Sequence, residues 1–373
     1  MNSLHNTLKE WRRSLTISQK SLADSIHISR QAYSAIENGE AVPSTEIALR
    51  LARALETPVE TLFSLHVPSV SETCIEAKWY GASPALSDSI TPVRIEYVGE
   101  SAIAVPMHGK GVQYALTEPD GIASPGNNDG LVDVSLWSKD KLSLERIVAV
   151  GCDPAISIVA SYLSRENVEI SCYEEGSLQA LNRLAAGDAH IAGCHLLDHE
   201  TGEYNLSWIE RLLPFPSTVV TFSFWEQGLM VYPGNPKQIR GIEDLARPGI
   251  AMVNRKHGAG ARSLLDQLLK EKDIEVQSIA GYSRESSGHI AVANSVATGL
   301  VDTGIGIKSA ALATGLEFIP LRAERYDLVI PNHFLELESI QHFLSALREH
   351  KLKKQIEALG GYDIDKMGLP VSG

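Results

Sequence analysis

Several common chemistries have no footing in this 373-residue chain. Its four cysteines, Cys74, Cys152, Cys172 and Cys194, show no metal-like spacing. They read as small buried side chains, and neither a metal nor a disulfide framework is expected. His257 and His289, taken with Cys194, have no ligand spacing either. No run of about 18 apolar residues occurs, so no membrane span is expected. The start lacks a basic-then-apolar leader and goes straight into a helical pattern at Leu4–Trp11, so a cytoplasmic protein is expected. Nucleophile elbow, phosphate loop and a Ser/His/Asp grouping are all missing, so no enzyme activity and no cofactor are expected. Asp198 and Glu203 are a possible carboxylate pair, but Gly202-Glu-Tyr-Asn205 reads more simply as a turn.

Excess positive charge is also lacking. The chain carries a net charge of −13, yet residues 1–65 hold seven Lys/Arg and seven Asp/Glu, so the whole excess lies downstream. Length allows two or three domains, and 44% hydrophobic with 21% charged residues is ordinary for a soluble protein.

What is present first is a pair of short capped helices. Ser18 can cap a helix whose buried face is Leu22, Ala23 and Ile26. After a break at His27-Ile28, Ser29 can cap a second helix with Ala32, Ile36 and Glu37 at helical spacing. Asn38-Gly39 supplies a left-handed stop. Two such helices joined by a tight turn form a helix-turn-helix, whose second helix fits the major groove.

Residues 2–65 resemble the Xre/lambda-repressor-like family of helix-turn-helix domains. The resemblance is carried by Gln19, Leu22, Ala23, Ser29, Gln31, Ile36, Glu37, Asn38, Gly39 and the stretch Pro43–Leu55. It implies an all-α domain in which Gln19 and Gln31 touch backbone and bases. Arg30, Tyr33 and Ser34 would project from the recognition helix, with Ser29 and Asn38 at its ends. A neutral module gains little from counterion release, so one copy should bind double-stranded DNA weakly and a homodimer is expected.

A boundary follows Phe63, and Ser64–Thr73 reads as a linker. Over 66–146 the texture is that of a small β-rich connector, with runs such as Val93–Tyr97 and Leu131–Trp137 divided by turn clusters, notably Ser124–Gly130. From Ile147 the pattern becomes strand, loop, helix, repeated, which argues a parallel α/β sheet. Ligands of such sheets gather at the carboxyl ends of strands, beside helix N-termini. The loops Gly151–Ser157, Glu175–Ser177, Gly193–Asp198 and Asn254–Arg262 stand at that edge. Gly258 and Gly260 let the backbone approach a ligand, and Arg255 and Arg262 can pair with an anion.

Residues 147–373 resemble the periplasmic-binding-protein-like (type II) domain, whose kin include molybdate- and tungstate-binding proteins. The motifs are Gly151–Pro154, Gly176-Ser177, Ala192-Gly193, His195–Asp198, Gly202–Asn205, Gln227-Gly228, Asn254-Arg255, Gly258–Arg262, Gly281-Tyr282, His289–Val292 and Gly304–Ile307. The resemblance implies two lobes closing on a ligand, lobe one over 147–226 with 318–373 and lobe two over 227–317. Ser157, Ser177, the N–H groups near Gly176 and Ala261, and Arg262 would suit a tetrahedral oxyanion such as molybdate. His195, Asn254 and His289 are further candidates, each also readable as a hydrogen-bonded structural residue. The family pattern has Arg where Trp225 stands and Ser/Thr where Ala259 and Ala261 stand. Trp225 could instead stack on a small organic acid or amino-acid-like ligand, so both ligand classes stay open. Closure of the lobes would reposition two helix-turn-helix modules over half-sites about 34 Å apart.

Overall fold

The computed structural model describes residues 4–65, 73–80, 91–107, 118–125, 130–137, 146–198 and 200–371. Most of the expected linker, and residues 126–129 of the turn cluster Ser124–Gly130, lie outside them.

The N-terminal unit has five helices: Leu8–Ser14, Gln19–Ser25, Arg30–Glu37, Thr45–Ala54 and Val59–Leu62. Ser18, Ser29 and Ser44 each cap a helix by accepting from the N–H three residues on, at 3.1, 3.1 and 3.3 Å. A cap of this kind is worth about 1 kcal/mol. His27 takes φ +59° in the turn and Gly39 takes φ +77° after the recognition helix, so the expected break and stop are where the sequence put them. Leu22, Ala23, Ile26, Tyr33, Ile36, Leu51 and Leu55 form the core.

The domain is not all-α. Strand β1 (Leu4–Asn6) pairs antiparallel with β2 (Phe63–Leu65), so the first helix starts at Leu8 rather than Leu4. Asn6 fixes that start: its Oδ1 accepts from the Leu8 N–H at 3.2 Å and its Nδ2 donates to the Ile36 carbonyl at 3.0 Å. The buried face of the second helix is also turned from expectation. Ala32 is exposed and Tyr33, one turn before Glu37, is buried.

Strands β3 (Thr73–Trp79), β4 (Thr91–Val98), β5 (Ser101–Pro106), β6 (Gly121–Pro125) and β7 (Leu131–Leu136) close into a barrel in the order β3-β5-β4-β6-β7. Alternation splits the buried residues between two faces: Val93, Ile95 and Ala104 lie on one face of β4 and β5, while Ile103 and Val105 lie on the other and pack with Val148, Val150 and Tyr173 of the α/β domain. The barrel joins the following α/β sheet through buried polar contacts. Glu96 accepts from Tyr173 Oη at 2.5 Å and from Arg146 at 3.3 Å.

The α/β domain is one nine-stranded sheet, its ninth strand the short Tyr362–Asp363 pairing beside Ser217–Val231. β8 (Arg146–Gly151), β9 (Glu169–Glu174) and β10 (Ile191–Cys194) are mutually parallel and form the first lobe's sheet. β12 (Met252–Arg255), β13 (Glu285–Ser286) and β14 (Thr303–Ile307) do the same in the second. Two 15-residue strands, β11 (Ser217–Val231) and β15 (Glu317–Pro331), run antiparallel and belong to both. The chain leaves the first lobe on β11 and returns on β15. Register shifts interrupt their pairing between Thr221 and Ser223 and between Gln227 and Gly228. Strand ends from both lobes therefore converge along this pair, which positions the site.

Candidate functional site

Two places collect polar chemistry. In the N-terminal unit, Ser29, Arg30, Gln31 and Asn38 are exposed and Ser34 is half-buried along the recognition helix, so a polar face is open. Tyr33 does not project. Its side chain is fully buried and its hydroxyl donates to Glu37 Oε1 at 3.0 Å. Gln19 also turns inward, donating to Glu37 Oε2 at 2.5 Å, and Arg12 Nε donates to Oε1 at 2.6 Å. Burial alone would raise the Glu37 carboxyl, but hydrogen bonds from Arg12, Gln19 and Tyr33 outweigh it and hold the group below the usual range. Glu37 and Arg12 are thus the fastener between the first helix and the helix-turn-helix. Residue spacing shows Glu37 on the inner face but does not show which cation meets it.

The second place lies between the lobes, where the ends of β8, β9, β10, β12 and β13 meet the middle of β11 and β15. The first lobe brings Cys152, Glu174, Ser177 and His195; the second brings Arg255, Gly260 and His289; the long strands bring Trp225, Gln227, Glu324 and Tyr326. The lobes are in contact here. Leu178 N–H donates to the Gly258 carbonyl at 3.2 Å. A Cβ on Gly260 would fall 2.3 Å from His195 Cε1, so only glycine lets that helix start approach the ring. A Cβ on Gly176 would fall 3.2 Å from Ala259 Cα.

Hydrogen bonding separates these residues into satisfied and unsatisfied groups. His195 is held by Glu324 Oε2 at 2.7 Å on Nδ1, while its Nε2 faces Cys152 Sγ at 3.5 Å. Gln227 Nε2 donates to the same Glu324 oxygen at 2.7 Å. Burial disfavours the imidazolium, yet Cys152 and Glu324 outweigh it and raise His195 to about 10. Ser177 Oγ is taken by the His195 N–H at 3.1 Å, and Asn254 by Tyr282 and the Arg255 N–H. Asp153 accepts from Ala155 N–H at 2.8 Å and Tyr362 Oη at 2.7 Å, as a helix-start cap does, and burial pushes it up to about 7.

Arg255 stands apart. Its side chain is 0% exposed, and Nε, Nη1 and Nη2 all lack a hydrogen-bond partner among the described residues. His289 is also 0% exposed with both ring nitrogens unpartnered among the described residues, and Trp225 Nε1 is buried without an acceptor there. Burial, then Arg255 and His195, push the His289 pKa well below its usual range. An unpartnered buried guanidinium costs several kcal/mol, far more than a missed neutral hydrogen bond.

Arg262 lies differently. It donates to Asp266 at 3.2 Å and to the Arg255 carbonyl at 3.2 Å, and its guanidinium sits 4.2 Å over the Tyr282 ring. With Gly258, Gly260 and Trp208 it lines a cavity of about 250 Å³ that also reaches His195 and Glu324 of the interlobe site. Ser157 is exposed and lines a cavity of about 270 Å³ with Asp153, Glu174, Cys152 and Tyr326, closed on one side by Ile290 of the second lobe. Ala261 is buried in its helix and offers backbone only. Glu324 and Tyr326 are not singled out by the sequence, and Cys152 and Gln227 enter only within family motifs, because these residues meet only when β11 and β15 pass between the lobes.

The chain matches the PBP superfamily domain over residues 160–348 and the helix-turn-helix domain over 8–62. It is 33% identical over 228 residues to the Bacillus subtilis protein YvgK, covering 60% of this chain and 72% of that one. The B. subtilis HTH-type transcriptional regulator YgzD is 36% identical over 62 residues, which are 17% of this chain and 94% of that one. The sulfate-binding protein of Escherichia coli is 25% identical over 173 residues, 42% of this chain and 50% of that protein. The chain belongs to the PBP superfamily and carries its ligand-binding domain behind an Xre-like helix-turn-helix transcription-regulator domain.

Proposed function

We propose that this protein is a one-component transcription regulator in which a small anion, held between the two lobes, controls operator binding by a homodimer of helix-turn-helix domains. The observation that carries the reading is Arg255: a fully buried guanidinium whose three nitrogens have no partner among the described residues. A compact oxyanion would satisfy it with charge-assisted hydrogen bonds. The Trp225 indole N–H, buried beside His289, adds a second donor. Trp225 does not favour an organic ligand, because its ring is already packed by Tyr326 at 4.7 Å, His195 at 5.3 Å and Tyr362 at 6.3 Å between centroids. What it offers is its N–H rather than an open face for stacking. The relative named for sulfate binding in E. coli agrees with an oxyanion of the sulfate, molybdate or tungstate kind.

On the DNA side, Arg30, Gln31, Ser34 and Asn38 form the open polar face, with Ser29 at the helix start. Gln19 and Tyr33 support that face from inside through Glu37. Because the module carries no net charge, two copies on a two-fold site supply the affinity that one lacks.

The experiment is to select an operator from random duplex DNA with the full chain, then measure its affinity with and without each oxyanion. The reading predicts an anion-dependent change in the wild type that Arg255→Met abolishes, while Gln31→Ala weakens operator binding in every condition. An anion effect that survives Arg255→Met would refute the assignment.

A further inference from the structure

We propose that Cys152, His195 and His289 form a site for one divalent transition-metal ion that ties the two lobes together. This goes beyond the anion reading, which uses Arg255 and Trp225 and none of these three residues.

The three donor atoms lie within 4.8 Å of one another and all three residues are buried. Cys152 and His195 stand at the ends of β8 and β10 in the first lobe, and His289 starts a helix of the second, so a shared ion spans the cleft. Cys152 Sγ and His195 Nε2 are 3.5 Å apart. Sulfur and nitrogen bound to one tetrahedral ion at about 2.3 and 2.0–2.1 Å would be separated by about 3.6 Å. The pair is therefore already at the spacing that a metal requires.

The surroundings prepare the donors for that role. Glu324 Oε2 takes the Nδ1 side of His195 at 2.7 Å, which turns Nε2 toward Cys152. A carboxylate behind a ligating imidazole fixes the ring's tautomer and direction in metal sites generally. Glu324 is itself held by Gln227 at 2.7 Å. His289 has both nitrogens buried and unpartnered among the described residues, and a metal ligand would satisfy one of them. One thiolate and two imidazoles form a borderline-soft set that selects Zn²⁺, Co²⁺ or similar ions over Mg²⁺ or Ca²⁺. Binding the metal through a Cys152 thiolate would add a negative charge beside Arg255, which acts electrostatically on His289. Three protein donors leave a fourth position for a small ligand.

The test is titration of the full chain, stripped with chelator and reduced, with Co²⁺. One equivalent should bind and produce thiolate-to-cobalt charge-transfer absorption, which Zn²⁺ displaces. Cys152→Ser should abolish that absorption, and Glu324→Gln should weaken Co²⁺ binding about 10- to 100-fold. His289→Gln should weaken it at least as much. Cys74→Ser, at an exposed thiol, should change nothing. Circular dichroism checks that each variant folds, and if Cys152→Ser does not, His289→Gln and Glu324→Gln carry the test. Absence of the absorption in the wild type overturns the proposal, as does its persistence in Cys152→Ser or undiminished affinity in His289→Gln. Arg255→Met should keep Co²⁺ binding while losing the anion, so failure of one reading is visible apart from the other.

Discussion

Glu37 and Arg255 are both charged side chains buried within a fold, and they are treated in opposite ways. Glu37 is surrounded by Arg12, Gln19 and Tyr33, which satisfy both its oxygens. Arg255 interacts electrostatically with Glu174 but has no hydrogen-bond partner among the described residues, and Trp225 Nε1 and His289 around it lack partners there too. A satisfied buried charge fixes one arrangement of helices. An unsatisfied one leaves free energy available to a ligand. The contrast separates a region built to keep its shape from a region built to bind.

The comparison can be attacked from both ends. Arg12→Met leaves the Glu37 carboxylate buried with its main counter-charge gone, so the N-terminal unit should lose about 3 kcal/mol. For a unit of this size that lowers its unfolding transition by roughly ten degrees or more, read by calorimetry. Arg255→Met should do the opposite in ligand-free protein, raising the transition of the two-lobed domain because an orphan cation disappears. The same change should weaken anion binding about 100-fold, roughly 2.7 kcal/mol. If both substitutions destabilise alike, the distinction between the two regions fails.

Smaller effects sharpen it. Gln31→Ala should weaken operator binding by about 1–3 kcal/mol, measured by fluorescence anisotropy, with ligand affinity untouched. Arg262→Ala should lower anion affinity by less than the roughly tenfold that 1.4 kcal/mol represents, since Asp266 and Tyr282 already hold that side chain. Tyr33→Phe removes one hydrogen bond to Glu37 and should cost about 1 kcal/mol of stability without altering operator sequence preference.

Local features were the legible ones. Ser18 and Ser29 as caps, His27-Ile28 as the turn and Gly39 as the stop are decided within four residues, so sequence shows them. The same holds for the strand–loop–helix units: β8 starts at Arg146, one residue before the Ile147 at which that pattern begins. The β1–β2 ribbon escaped because its two strands are at opposite ends of the module and each is only three residues long. Tyr33 escaped because a tyrosine on a recognition helix suits DNA and core equally, and only the position of Glu37 decides. Arg262 looked the better anion ligand because it follows the glycine loop, whereas its i+4 partner Asp266 occupies it and leaves Arg255 as the orphan. Cys152, His195 and His289 share no local spacing at all; they are brought together by two long strands that a linear pattern does not pair.

Isothermal titration calorimetry of the full chain and of Arg255→Met against sulfate, phosphate, molybdate and tungstate tests the central claim most directly. The account predicts saturable binding of at least one oxyanion by the wild type, lost or weakened about 100-fold in the variant. Equal affinities in the two proteins, or no oxyanion binding by the wild type, would contradict it.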